Sequence, residues 1–285
     1  MDADILARFE RLLGKAAFIV KGVYWRQVRP GFYRPLAQFK EYSTATTSFP
    51  RLALLGAAQH AVPPGEPANS FLNCICFRNT AGYSQTSLDQ NRNRQVRLAS
   101  KQFAIRKVTD LNEFKRDGHL AYLSFFERTH YEYGARRRDP AVFSNWADAL
   151  FQISPVLVLG GYHDGKLVGI SLSFLIDHTI FYASFFCTSE AMKLYLSDLM
   201  LHAIRRAAAQ QPNVKEVFAG MYKGNTGLDR FYLLRGAECV QKPARLRINP
   251  LLKSALHLGA PRMYSKMLGH VEDARAENPP SPANS

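Results

Sequence analysis

The residues best placed for chemistry in this chain are cations. Between Ser87 and Lys101 stand Arg92, Arg94, Arg97 and Lys101, with only Asp89 against them. At helical spacing this is a basic face, suited to the phosphates of a nucleic acid or of a lipid headgroup. A solvated helix face with Val96 and Leu98 turned inward explains the same residues, and both readings stand. The thiols promise less. Cys74 and Cys76 share one face of a strand, Cys187 and Cys239 are isolated, and none has a CxxC partner. They read as reduced, mostly buried thiols with no metal to hold. Among possible bases, Glu127, His130 and Asp198 qualify by residue type alone. His119 and His130 lack the i, i+4 spacing of a helical zinc pair. No Gly-x-Ser-x-Gly, Walker A, HExxH or Gly-x-Gly-x-x-Gly sequence is present, so those hydrolase and nucleotide-binding chemistries have no support.

These groups need a scaffold. At 285 residues, 47% apolar and 21% charged, the chain can bury a full core. Thirty-seven basic residues against 23 acidic ones give a net charge of +14, a field that favours anionic partners without choosing among them. The most apolar charge-free run, Leu167 to Ile176, is about half of the ~20 residues a spanning helix needs. No signal peptide is evident, and a cytoplasmic site with peripheral contact at a membrane is expected.

Periodicity sets out the elements. Residues 4–20 alternate as an amphipathic helix, followed by strand-like pieces at 22–28, 52–59 and 71–77. After the basic helix, 103–108 alternates as a strand. Asp110 and Glu113 signal a helix start, and a second helix fits 141–151. Strands at 156–162, 166–176 and 179–186 are joined by turns at His163-Asp164-Gly165 and Asp177-His178. A long helix from Ser189 buries Leu196, Leu199, Met200, Ala203 and Ala207, with Asp198 on its other side. A strand at 214–219, a short helix at 227–234 ended by Gly236, and a strand at 238–248 complete the order. This is a mixed α/β (α+β) fold with a central antiparallel meander. The expected organisation is a β-rich subdomain at 1–86, a basic linking helix at 87–102, a catalytic-type domain at 103–250, a C-terminal helix at 251–270 and a disordered tail at 271–285.

Asn225, Leu228, Tyr232 and Gly236 fall at offsets of three, seven and eleven, on a spacing that resembles the GNAT acyltransferases. Gly224-Asn225-Thr226-Gly227-Leu228-Asp229-Arg230-Phe231, then Gly236-Ala237-Glu238, is similar to the FemAB-like branch of that superfamily. So is the upstream run Asn91–Arg97. The resemblance covers roughly 87–250. FemAB-like proteins usually pair two GNAT units, so the segment before the basic helix would be a truncated first unit.

The resemblance implies transfer of an acyl group to an amine, on a small molecule, an amino acid or a cell-envelope precursor. The donor co-substrate would be acyl-coenzyme A or aminoacyl-tRNA. An unpaired backbone N–H near Ala183–Cys187 would hold the carbonyl oxygen, and Tyr232 would protonate the leaving group. Asn225, Lys223, Arg230 and Ser189 are the implied donor contacts, and Arg92, Arg94 and Arg97 the contacts to substrate. Asn225 equally suits the cap of the short helix. The glycine-rich donor loop of coenzyme A-dependent members is missing: the junction reads Cys187-Thr188-Ser189-Glu190-Ala191-Met192-Lys193. Coenzyme A binding in the usual manner is therefore not expected. The alternative is a non-catalytic GNAT scaffold that holds RNA or anionic lipid on its basic helix.

Overall fold

The computed structural model describes residues 4–131, 134–153, 156–224 and 226–270. Its strands are β1 (Ala17–Val20), β2 (Val23–Arg29), β3 (Phe32–Pro35), β4 (Ala57–Ala61), β5 (Ser70–Arg78), β6 (Ala104–Lys107), β7 (Val156–His163), β8 (Lys166–Ile176), β9 (Thr179–Cys187), β10 (Glu216–Met221) and β11 (Glu238–Ile248). Its α-helices are α1 (Asp4–Leu12), α2 (Gln90–Ser100), α3 (Leu111–Glu113), α4 (His119–Thr129), α5 (Pro140–Phe151), α6 (Ser189–Lys193), α7 (Leu196–Ala209), α8 (Gly227–Leu233), α9 (Pro250–Gly259) and α10 (Pro261–Leu268). By packing, the chain forms two units, one from 1–16 with 76–220 and the other from 17–75 with 221–285. This division follows contacts, whereas the boundaries drawn from the sequence follow chain order.

In the first unit the strands lie in the order β10-β9-β8-β7-β6. β6 to β9 are antiparallel and β10 is parallel to β9. The β7–β8 hairpin turns through Asp164 and Gly165, both at positive φ, a twist that matches the flanking strands. One face carries an aromatic core in which Phe114, Phe143 and Phe186 are fully buried and Trp146 packs against all three. Gly118 makes room for it: a Cβ there would stand 2.6 Å from Ile170 Cδ1. The chain at this point, Phe114–Gly118, is a π-helical turn between α3 and α4. α5 begins at Pro140 with the Asp139 carboxylate accepting from the amides of Ala141 and Val142.

The helix expected from Ser189 is broken in two. Tyr195 adopts a left-handed conformation, ending α6 and starting α7 afresh. The break seats Leu196, which is fully buried, in a notch left by Gly161 and Gly169; a Cβ on either would come within 2.6 Å of it. Asp198 is buried rather than turned to solvent. On α2 it is Val96 and Ala99 that face inward, packing with α7, while Leu98 is 41% exposed.

In the second unit β1, β2 and β3 form an antiparallel ribbon. β3 is parallel to β4, and β4 is antiparallel to β11. The helix expected over 4–20 stops at Leu12, and Ala17–Val20 pairs with β2 instead. Gly14 is left-handed, and β-branched Ile19 and Val20 suit a strand. The strand expected at 52–59 opens as a 3-10 turn, Arg51–Leu54, behind Pro50. Trp25 is fully buried beside Phe49 and His60. The single C-terminal helix expected at 251–270 is two, α9 and α10, divided at Ala260-Pro261. The tail at 271–285 lies outside the described residues.

Buried His60 and half-buried His202 set an acid limit on this fold. Burial first, then Arg245, pushes the His60 pKa down, and burial with Arg206 and Arg205 does the same to His202. A base with a lowered folded pKa binds fewer protons when folded than when unfolded. Stability is therefore lost as pH falls below the unfolded histidine value of about 6.5. The thermal midpoint is expected to drop between pH 7 and 5. The drop should be shallower in His60→Gln, whereas an equal slope in the variant would remove the assignment.

Candidate functional site

The site is built where β9 parts from β10. Their pairing joins Thr179, Ile180 and Phe181 to Glu216, Val217 and Phe218 and goes no further, although β9 runs on to Cys187. On the other side β9 stays paired with β8 throughout, but with a bulge: Leu172 faces Ser184, Ser173 faces Tyr182, and Ala183 is left over. Ala183 is exposed in the middle of a strand whose flanking residues Tyr182 and Phe186 are buried. A bulge leaves its extra residue outside the ladder, and beyond the parting this edge of β9 has no β10 partner. Behind the bulge, Ser171 and Ser173 are fully buried on β8, and neither hydroxyl has a hydrogen-bond partner.

The end of β9 is held by α4. Ser124 Oγ accepts from the Ser189 amide at 3.0 Å and lies 3.4 Å from Ser189 Oγ. Arg128, one turn on, donates from Nη1 to Ser189 Oγ at 3.1 Å and to the Cys187 carbonyl at 3.4 Å. Its Nη2 is buried with no hydrogen-bond partner among the described residues. The Thr188 hydroxyl caps α6 by accepting from the Ala191 amide. Thus the amides of Ser189 and Ala191, which a glycine-rich loop would leave free for a pyrophosphate, are consumed by side chains. A half-buried guanidinium with an unspent donor stands at the same junction. Burial pushes the adjacent Cys187 thiol up to about 11, against the pull of Arg128, so it stays protonated and is a poor nucleophile.

The other expected site residues fall in separate places. Ser189 belongs to the junction just described. Arg92, Arg94 and Arg97 lie on α2 of the same unit; Arg94 and Arg97 are exposed, while Arg92 is half-buried and donates to Gln95 Oε1 at 2.7 Å. Tyr232, Lys223 and Arg230 belong to the second unit. Tyr232 is 7% exposed on α8 and packs edge-on against Phe231. Asn225 lies outside the described residues. The cap of α8 is Thr226, whose hydroxyl accepts from the Asp229 amide. Buried Asp229 in turn accepts from the amides of Thr226 and Lys223. Of the possible bases, Glu127 and His130 are exposed at the end of α4. Among the described residues, no cluster of three or more His, Cys, Asp or Glu could hold a metal ion.

Arg128 and Ser124 were not singled out from the sequence. Their signal is faint: a serine and an arginine four apart, on either side of Phe125-Phe126, on one face of a helix otherwise given to packing.

No family model matches the chain, and no curated protein matches it in sequence. Solved structures do match. FemX is similar with a TM-score of 0.59 at 12% identity, covering 88% of this chain and 93% of FemX. The C-terminal domain (DUF2156) of a putative lysylphosphatidylglycerol synthetase from Agrobacterium fabrum gives 0.56 at 10% identity, covering 95% of this chain and 96% of that one. L-PGS from Bacillus licheniformis gives 0.51 at 9%, covering 94% and 96%. The parting strands, the bulge and the helix after them are thus set in a mixed α/β fold similar to that of FemX.

Proposed function

We propose that this chain transfers an aminoacyl group from an aminoacyl-tRNA to an amine acceptor. The observation that carries the reading is the parting of β9 from β10 beyond Phe181, next to the bulge at Ala183. In the reaction the acceptor nitrogen attacks the ester carbonyl carbon, and the oxyanion is met by a backbone N–H of β9. The tetrahedral species then collapses, the bond from carbon to the ribose oxygen breaks, and that oxygen takes a proton. Positioning supplies much of the rate.

The choice of donor rests on the β9–α6 junction. Its amides are consumed by Ser124 and Thr188, which disfavours a coenzyme A pyrophosphate, whereas Arg128 and the basic surface suit a donor whose phosphates are spread along a strand. One of the similar structures is of a putative lysylphosphatidylglycerol synthetase, named for a product that joins an amino acid to a phospholipid. That name is consistent with an aminoacyl donor here.

A thermal-shift series at fixed salt tests the reading, with free coenzyme A, acetyl- and long-chain acyl-coenzyme A, uncharged tRNA and aminoacyl-tRNA. A ligand at about a hundred times its Kd adds about 2.7 kcal/mol to the native state. Aminoacyl-tRNA is expected to raise the midpoint most; stabilisation by an acyl-coenzyme A alone overturns the donor. The resemblance gives the proton to Tyr232. Tyr232→Phe is then expected to slow turnover about tenfold or more, and unchanged turnover removes that role.

A second reading has its own observation. Exposed Arg94 and Arg97 form a basic face on α2 suited to RNA without catalysis. It predicts that charged and uncharged tRNA stabilise equally, with an effect that fades steeply with salt.

A further inference from the structure

In the second unit, the largest leucines left in solvent stand together. Leu251 and Leu258 on α9 are 83% and 84% exposed, and Leu55, which follows the 3-10 turn Arg51–Leu54, is 85% exposed. The turn and the helix are tied at their bases. Asn249, the cap of α9, donates from Nδ2 to the Leu54 carbonyl at 2.7 Å, and its amide donates to the Gly56 carbonyl at 2.8 Å. Leu251 and Leu258 are seven apart, so they share one face about 10 Å long. Leu52 and Leu54, 55% and 48% exposed, extend the patch at the turn. α9 itself is hardly packed, with Leu256 its one buried residue. Apolar side chains this exposed and this close mark a surface made to be covered.

The charge around them says by what. From Cys239 to His270 no aspartate or glutamate occurs, while Lys242, Arg245, Arg247, Lys253, Arg262 and Lys266 do. Lys253, His257, Arg262 and Lys266 are exposed on α9 and α10. Around the turn, no acid occurs between Glu41 and Glu66. Leucines projecting past a surface rich in cations match a bilayer with anionic headgroups: the hydrocarbon takes the side chains and the phosphates meet the cations. Residues 271–285 have Val271 as their only large apolar side chain and carry Glu272, Asp273 and Glu277, a composition poorly suited to an apolar face.

We infer that the leucine surface of α9 and the 51–55 turn docks this protein on an anionic membrane, with Leu55, Leu251 and Leu258 inserted and Lys253, Arg262 and Lys266 at the headgroups. The inference concerns an element distinct from the α2 arginines, and it does not depend on the transferase reading.

The test is flotation of the full chain with vesicles of phosphatidylcholine alone and with about a third phosphatidylglycerol, without any donor or acceptor, so failure here leaves the transferase reading untouched. Binding to the anionic vesicles only is expected. Leu251→Glu/Leu258→Glu should weaken it about tenfold or more, with an unchanged thermal midpoint because both side chains already stand in water. Lys253→Gln, Arg262→Gln and Lys266→Gln should each weaken it by up to about fivefold at low salt, and less as salt rises. No binding to anionic vesicles overturns the inference, as does binding that survives the leucine variant. A concentration-dependent dimer dispersed by that variant also overturns it, because the face would then belong to a second copy.

Discussion

Gly56→Ala is expected to destabilise the second unit by about 3 kcal/mol or more, lowering the thermal midpoint by roughly 6 °C or more at this size. The cause is backbone against backbone. A Cβ on Gly56 would fall on the carbonyl oxygen of Gly31 and stand 2.9 Å from its carbonyl carbon. Neither group can rotate aside, unlike the leucine and isoleucine methyls that face Gly161 and Gly118. The Gly31 carbonyl also accepts from the Ala57 amide at 2.8 Å, the bond beside which β3 and β4 begin their parallel pairing at Phe32 and Ala57. Pushing the two chains apart breaks that bond and pulls on the Gly56 carbonyl, which holds the Asn249 amide at the start of α9. Gly82→Ala is the control. Nothing lies within 4 Å of its added Cβ, its φ is ordinary, and its effect should stay within about 0.5 kcal/mol. Equal midpoints for the two variants would show that the Gly31–Gly56 approach is not rigid.

That approach shows why part of the molecule is legible in its sequence and part is not. The meander at 156–187 is written locally. Alternating apolar residues fix which face is buried, and Asp164-Gly165 fixes the hairpin, so a reader needs only neighbouring residues to place β7, β8 and β9. Asp139-Pro140 gives the start of α5 in the same way. The GNAT-type order followed from these pieces together with the Asn225–Gly236 spacing. Failures came where a distant residue decides. Residues 4–20 look helical throughout because Ala16, Phe18 and Val20 satisfy either period, and only the presence of β2 makes a strand of the last four. The break at Tyr195 is invisible locally, since it exists to drop Leu196 between two glycines on other strands. The site divides likewise. The missing glycines at 187–193 were plain, but what replaces them comes from α4, some sixty residues earlier, as a serine and an arginine whose partners are backbone groups.

Arg128→Met separates a functional arginine from a structural one, and it should weaken donor binding about ten- to a hundredfold while leaving the free protein as stable as before or slightly more so. Arg128 makes two hydrogen bonds, both from Nη1 and both long, at 3.1 and 3.4 Å. Among the described residues its buried Nη2 has no hydrogen-bond partner, and no carboxylate pairs with it. A guanidinium placed so is costly to the folded chain, because desolvation is not offset by an opposing charge. Replacing it by an apolar side chain of similar length removes that cost and keeps the packing over Phe125. In the donor complex the same Nη2 can meet a phosphate oxygen, and a charge-assisted bond in a half-buried place contributes about 1.5–3 kcal/mol, which spans roughly ten- to a hundredfold in affinity. Arg128→Lys keeps the charge and loses the fork, so it should fall between the two. The measurements are the thermal midpoint of the free protein and the Kd for aminoacyl-tRNA, taken on the same three proteins. Should Arg128→Met lower the midpoint by several degrees with donor affinity intact, Arg128 is a strut for the β9–α6 junction and the donor phosphate is held elsewhere. A stable protein that has lost its donor would place the anion at the end of β9, beside the wedge between β9 and β10 proposed to hold the carbonyl.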